Sequence, residues 1–400
     1  MASLPNQPPP AFARARQAAS RLLAPVLHPL LPGSSKTWGP PRGYYATVDH
    51  WLARRGTQLG ARFDEVYPPQ KFQWREAQTL DPNPPLTLQG APTAEAARHG
   101  VAVIPGGRVV GPDAAIISPD DRVLLDLSLY FAPYHHEIFR RWRQPVCRDP
   151  GGPVLVLAGL SGSNYGHWLH QMLPRLHLAQ KAGWNNADWA AIVVNPSRTG
   201  FTRESAELAG LPADKIIEAG EHLHLCGQPL VVPTFPSAGN YPRWVIDFLR
   251  ATYWRGPSPA RTRRLYLSRQ PATWRRITNE SAIAPVLREF GFETMLAESL
   301  SFPEPIAAFR AAAAVFGLHG ANLSNLCFCQ PGAIAVELYH PGFPEAYYRN
   351  LASHSDLDYF YLLGEGPRRD TPVRGPNTLN HAEVIVDPAK LRQTFRAAGL

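Results

Sequence analysis

The sequence predicts an α/β protein built of two units, and three observations carry that expectation. Apolar runs of strand length alternate with helical patterns over residues 154–254, and the alternation restarts over 264–362. Pro257-Ser258-Pro259 stands between the two series and reads as a hinge. Ahead of them, apolar runs at 101–104, 108–110, 115–117 and 123–126 are separated by Pro105-Gly106-Gly107, Gly111-Pro112-Asp113 and Pro119-Asp120-Asp121, which predicts a β-meander.

Four expected segments follow: an arm and irregular stretch over 1–95, a first α/β domain with the meander over 96–256, a second α/β domain over 257–387, and a terminal helix over 388–400. Within the arm, 11–31 has a helical pattern carrying Arg14, Arg16 and Arg21, interrupted by Pro25 and Pro29. A loosely docked arm and a helix lying on a membrane surface are both compatible with it. Residues 41–95 are aromatic and proline-rich, with a short helical pattern near 47–55 and no role that the pattern discloses. The first domain reads as strand 154–158, helix 164–181, strand 191–194, helix 202–209, strand 230–232 and helix 242–254. The second reads as strand 264–267, helix 281–290, strand 292–296, helix 304–312, strand 311–316, strand 333–338, helix 346–351, strand 358–362 and strand 383–386.

Composition narrows the function classes. Of 400 residues, 44% are hydrophobic and 18% charged, as in a folded soluble protein, and the formal charge is +8. Lysines number only five, so the positive charge is arginine, whose planar fork suits phosphate. The arginines are dispersed, without the dense basic run of a nucleic-acid binder, so a nucleotide or another acidic partner is expected and nucleic acid is not. Cys147, Cys226, Cys327 and Cys329 are too few for a disulfide scaffold, and Cys327-Phe328-Cys329 lacks a second pair at zinc spacing. No run long enough to span a membrane and no leader pattern is present, so a cytoplasmic protein is expected.

Three stretches concentrate chemistry. In Asn164-Tyr165-Gly166-His167-Trp168-Leu169-His170-Gln171-Met172-Leu173-Pro174-Arg175, Asn164 suits a helix N-cap. His167, Gln171 and Arg175 recur at i, i+4 and i+8, with His170 beside them. A histidine there suits general-base work, and a capped helix with a satisfied histidine is the competing reading. Pro174 cannot donate to the carbonyl of His170, so a kink is expected. The second stretch carries Ser268, Arg269, Arg275, Arg276 and Asn279 at a strand end and the following helix start, a setting for a diphosphate or a solvated basic loop. The third follows the strand 311–316: Gly317-Leu318-His319-Gly320-Ala321-Asn322, then Asn325, then a second strand bearing Glu337. Strand, glycine turn and helix start aim backbone N–H groups at an anion. The dinucleotide and NTPase fingerprints are absent.

Together the three stretches resemble glycosyltransferase family 61, whose bacterial members include capsular polysaccharide biosynthesis proteins. The family's N-x-x-H-W…L-P-R segment is matched by Asn164, His167, Trp168, Leu173, Pro174 and Arg175. Its S-R…R-R-x-x-N-E segment is matched by Ser268, Arg269, Arg275, Arg276, Asn279 and Glu280. Its H-G-A-x-L-x-N…F…P-G…E-L segment is matched by His319, Gly320, Ala321, Leu323, Asn325, Phe328, Pro331, Gly332, Glu337 and Leu338. The resemblance covers residues 100–365 and implies a GT-B fold, two Rossmann-like domains facing a cleft. It implies an inverting, metal-independent transfer of a sugar from a nucleotide-sugar, UDP-linked, to a glycan acceptor, with no cofactor. Arg269 and Arg276 with the Gly320-Ala321-Asn322 backbone would then steady the diphosphate, His319 would touch phosphate or sugar, and Glu337 would accept from ribose hydroxyls. Many members carry an acid where this chain has Gln171. Glutamine cannot be a base, which leaves His167 as the leading candidate, with His170 or an acid distant in the sequence as the alternatives. A non-catalytic nucleotide- or sugar-binding protein is the alternative.

Overall fold

A computed structural model describes residues 39–128, 136–141, 143–270, 272, 275–297, 300–366 and 383–400, with Ala15 and Ala19. The expected arm over 1–40 lies almost wholly outside the described residues. The chain is mixed α/β with four sheets among those residues, and it divides into two compact units. The first comprises Met1–Pro68 and Ala97–Phe235, the second Pro69–Ala96 and Pro236–Leu400. The division therefore falls ahead of the proline hinge, and the second unit recruits a piece of the N-terminal stretch.

In the first unit, β1 (Gly43–Tyr45), α1 (Val48–Trp51) and β2 (Arg62–Tyr67) come first. The hairpin of β3 (Gln70–Gln73) and β4 (Thr93–Ala96) belongs to the second unit. Next come β5 (His99–Ile104), β6 (Arg108–Val110), β7 (Ala115–Ile117), β8 (Arg122–Leu124) and β9 (Val154–Val156). After β9 the predicted long helix is in three parts: α2 (Tyr165–His167), a π-helical turn (Trp168–Met172) and α3 (Arg175–Lys181). Leu173 donates to Trp168 O across five residues, one step wider than an α-helix, and α3 restarts behind Pro174. Then follow β10 (Ala191–Val194), α4 (Phe201–Leu208), β11 (Ile216–Glu218), β12 (His224–Cys226) and β13 (Leu230–Pro233).

One sheet has the order β11-β10-β9-β13-β5-β2. Its first four strands are parallel, and β5 and β2 close it antiparallel. Taking β9, β10, β11 and β13 as strands one to four, the parallel part reads 3-2-1-4, so the strand order reverses between β9 and β13. The second sheet is β1-β8-β7-β6-β12. The predicted meander is thus β6 to β8 only; β5 leaves it to pair with β13, because its residues are buried throughout and serve a two-sided sheet. Both sheets share one core, including Ile104, Val109, Ile116, Leu124, Val156, Val193 and Val232.

The second unit continues with α5 (Arg243–Tyr253), β14 (Arg263–Leu267), α6 (Glu280–Glu289), β15 (Glu293–Met295), α7 (Pro303–Arg310) and β16 (Ala312–Leu318). A 3-10 helix (Ala321–Phe328), β17 (Ile334–Tyr339), α8 (Tyr347–His354), β18 (Asp358–Leu363) and α9 (Pro388–Ala397) complete it. All five strands are parallel in the order β15-β14-β16-β17-β18, the doubly wound 2-1-3-4-5 arrangement. Such strands are apolar on both faces. Phe316, Val336, Leu338, Phe360 and Leu362 pack with Ile283 and Val286 of α6 and Leu391 and Phe395 of α9. The terminal helix is thus part of this core. The predicted strand over 383–386 is reduced to single bridges, Val384 to Ile277 and Ile385 to Glu365.

Candidate active site

In an open parallel sheet the crevice for a ligand lies beyond the C-terminal ends of the strands where the order reverses. The first unit reverses between β9 and β13, and the first chemical stretch leaves the end of β9. There Asn195, at the end of β10, makes a reciprocal pair with Gly159: its Oδ1 accepts from Gly159 N at 3.0 Å and its Nδ2 donates to Gly159 O at 2.9 Å. A Cβ at Gly162 would fall 1.9 Å from Asn195 Oδ1, so only glycine fits beneath the loop. Asn164 caps the helix, accepting from Gly166 N at 3.0 Å.

His167 is half-buried, and its Nδ1 lies 2.5 Å from Gln171 Oε1. An amide oxygen only accepts, so Nδ1 donates in this contact, and Gln171 orients the imidazole so that Nε2 is the nitrogen left to act as acceptor whenever the ring is neutral. His170 is 1% exposed and lies in the interior, closed to a substrate hydroxyl. Arg175 departs furthest from expectation. It is fully buried; its Nε donates to Pro233 O at 2.8 Å, its Nη1 to Ala158 O at 3.0 Å, and its guanidinium lies 3.8 Å from the Phe235 ring centre. Burial pulls its pKa well below the ordinary arginine value. It clamps the diverging ends of β9 and β13 instead of presenting a cation to substrate. Trp168 is likewise structural, donating to Ser205 Oγ at 2.8 Å.

The second unit reverses between β14 and β16. Beyond β14, Ser268 Oγ and Tyr266 OH both donate to Glu280 Oε1, at 2.9 and 2.6 Å, so the loop is tied to the first turn of α6. Arg269 Nε donates to Arg275 O at 2.9 Å. Beyond β16, a Cβ on Gly320 would lie 2.7 Å from Arg269 Nη1, so the absence of a side chain there lets the guanidinium lie on the backbone. Arg275 sits in the left-handed region at φ 53° and reaches toward His319 O at 3.5 Å. Burial and the neighbouring Arg269 charge lower its pKa, and among the described residues it has no carboxylate partner. Two guanidinium groups held side by side, over a backbone that opens a 3-10 helix at Ala321 and Asn322, form a ready anion seat.

Arg276 is elsewhere. Its Nε donates to Glu383 Oε1 at 3.1 Å on the exposed surface, away from Arg269 and Gly320. Asn279 does not cap α6 with its side chain; its Nδ2 donates to Val386 O at 2.8 Å and its Oδ1 accepts from Val386 N at 3.0 Å, fastening the C-terminal segment. Asn325 donates to Asn322 O at 3.1 Å within the 3-10 helix. Glu337 is 1% exposed with both oxygens engaged: Oε1 lies 2.5 Å from His319 Nδ1, and Oε2 accepts from Tyr359 OH at 2.5 Å. It orients His319, and in this state it offers no oxygen to a ribose. His319 stacks on Tyr339, whose hydroxyl lies 3.0 Å from that of Tyr359. Sequence reasoning missed Asn195, Tyr348 and Tyr359. Tyr348 is buried, with Arg275, Arg269 and Glu337 in electrostatic reach. Among the described residues, no group of three or more His, Cys, Asp or Glu side chains is placed to hold a metal ion, and no helix is long and apolar enough to cross a membrane.

Comparison with known proteins follows the same stretch of chain. Residues 165–336 match the family model described as Glycosyltransferase 61. The protein O-linked-mannose β-1,4-N-acetylglucosaminyltransferase 2 of Takifugu rubripes is 35% identical over 118 residues, which are 28% of this chain and 19% of that protein. The chain thus spans about a fifth of the length of the curated relative it matches. The matched residues begin at α2 and end within β17, so both reversal points lie inside them or at their border, and over this region the chain is similar to glycosyltransferase 61 proteins.

Proposed function

We propose that this chain is a glycosyltransferase that moves a sugar from a UDP-linked donor to a glycan acceptor, with inversion and without a metal, in polysaccharide assembly of the capsular type. The family match and the transferase relative support glycosyl transfer. The observation that carries the donor assignment is the pair Arg269 and Arg275 beside Gly320, at the strand reversal of the parallel sheet. In this reading the diphosphate lies on those guanidinium groups and the N–H groups of Ala321 and Asn322. His167 Nε2 takes the proton of the acceptor hydroxyl. The acceptor oxygen bonds to C1 of the sugar as the C1–O bond to the diphosphate breaks on the opposite face, which inverts the anomeric centre. The leaving charge develops where the arginines already stand. A GT-B fold, with the acceptor handled by the first unit and the donor by the second, belongs to the same proposal.

The test is thermal unfolding with UDP-, GDP-, CMP- and TDP-sugars, each with magnesium and with EDTA. A donor at about 100 times its Kd adds about 2.7 kcal/mol. A shift with the UDP class that survives EDTA is expected; a shift abolished by EDTA overturns the metal-independent reading, and no shift with any nucleotide overturns the donor site.

A further inference from the structure

Residues 76–90 lie against the outer edge of β18, within the second unit. Gln78 donates its backbone N–H to Tyr359 O at 3.0 Å and accepts from Tyr361 N at 2.9 Å, adding a one-residue strand to the sheet. Thr87 Oγ1 donates to Pro344 O at 2.7 Å, and Lys390 Nζ stands 3.6 Å from Asp81. The segment is therefore fastened at several points rather than draped. Between it and the sheet is a cavity of about 880 Å³, within the span of small-molecule sites.

Its lining is chemically consistent. Glu76 and Asp81 supply carboxylates, the second paired with Lys390, Gln78 and Gln89 supply amides and Thr79 a hydroxyl, with the Tyr361 ring on the wall; among the described residues no lysine or arginine lines it. Such a set accepts from and donates to hydroxyl groups. It exceeds what a single metal ion fills. The same segment exposes Leu80 at 50% and Leu86 at 66%, apolar ground of the kind that the C–H face of a sugar ring covers. Tyr361, on the cavity wall, packs edge-on against Tyr339 with centroids 6.1 Å apart, and Tyr339 stacks on His319 at 5.3 Å. Two ring contacts thus join the cavity to the anion seat at the end of β16.

We propose that this cavity is a saccharide subsite that takes a neutral, hydroxyl-rich oligosaccharide. The inference rests on the glycosyltransferase reading for the source of that ligand, which is either the acceptor glycan or the sugar of the donor. The experiment uses the full chain and its Glu76→Ala/Gln89→Ala variant, both changes being at exposed side chains. Cellotetraose, maltotetraose, xylotetraose and N,N′,N″,N‴-tetraacetylchitotetraose are titrated at millimolar concentration, with saturation-transfer NMR and calorimetry as readouts, and UDP is titrated in parallel. At least one tetrasaccharide is expected to bind the wild-type chain, and the variant to bind it about tenfold or more weakly as hydrogen bonds are lost, with UDP affinity unchanged. If the variant raises only the acceptor KM, the ligand is the acceptor glycan. If it weakens a UDP-sugar but not UDP, the ligand is the donor sugar. Either outcome supports the subsite. Absence of binding by every tetrasaccharide, or equal binding by the variant, overturns it. Failure of UDP to bind the wild-type chain strikes the transferase reading alone, since tetrasaccharide binding is read independently.

Discussion

Arg275 and Arg276 are neighbours with different fates. A left-handed backbone at Arg275 turns its guanidinium inward beside Arg269, while Arg276 pairs with Glu383 in water. An exposed ion pair contributes about 0–1 kcal/mol, so Arg276→Ala is expected to leave UDP affinity within about twofold, as read by calorimetry. Gly320→Ala is expected to weaken UDP binding while the circular dichroism spectrum is retained, because the new methyl displaces the Arg269 guanidinium. His167 is a second residue with a sharp expectation. His167→Ala should lower kcat by about 10²–10⁴ with the donor KM little changed. Gln171→Glu replaces a neutral orienter with a charged one, stabilises the protonated imidazole, and should move the acidic limb of the kcat/KM–pH profile to higher pH. A profile that does not move would remove His167 as the base. The sequence pointed to His167 and Gln171 as one face of a helix, and they do meet. It did not disclose which arginine of the pair turns inward, since nothing in residue type announces a positive φ at Arg275.

Among elements, the clamp at the reversal of the first sheet has the clearest consequence. Arg175→Met keeps the aliphatic volume but leaves Pro233 O and Ala158 O without their donor. Two buried carbonyls so orphaned cost roughly 2–5 kcal/mol, measured as a fall in urea midpoint with unchanged slope. The strands of both parallel sheets were legible as apolar runs, because strands covered on both faces carry no polar alternation. The interrupted helix at Pro174 was legible for the same local reason, a missing N–H. The roles of Arg175, Asn279 and Glu337 were not: each is a polar residue whose partner lies far along the chain, at Pro233, Val386 and His319, and spacing says nothing of such partners. The family resemblance offered Glu337 as a ribose acceptor; only the fold shows both oxygens taken.

For the whole molecule, buried titrating groups set the acid limit of stability. Burial lowers His99, His136 and His354 to about 4, so each is neutral when folded and binds a proton on unfolding as pH falls below 6.5. That stability is present above the unfolded pKa and is lost between about pH 6.5 and 4. Asp126 opposes them: burial raises it to about 6, so the folded chain holds its proton more tightly and gains as pH falls through 6. Three protons against one give a net slope of at most about 2.7 kcal/mol per pH unit near pH 5. The urea midpoint should therefore fall from pH 7 to pH 5, and Asp126→Asn should steepen that fall; a midpoint that rises toward pH 5 contradicts the assignment. The two-unit plan was legible in the alternation of strands and helices. That Pro69–Ala96 joins the second unit was not, because a short hairpin carries no mark of the sheet that it will meet.

The proposed donor seat between β14 and β16 is tested most directly by calorimetric titration of UDP, in EDTA, into the wild-type chain, Arg275→Ala and Arg276→Ala. The predicted result is binding by the wild type, loss of about tenfold or more in Arg275→Ala from one charge-assisted contact, and near wild-type binding in Arg276→Ala. Equal binding by wild type and Arg275→Ala, or loss confined to Arg276→Ala, would contradict the placement of the diphosphate at this sheet edge.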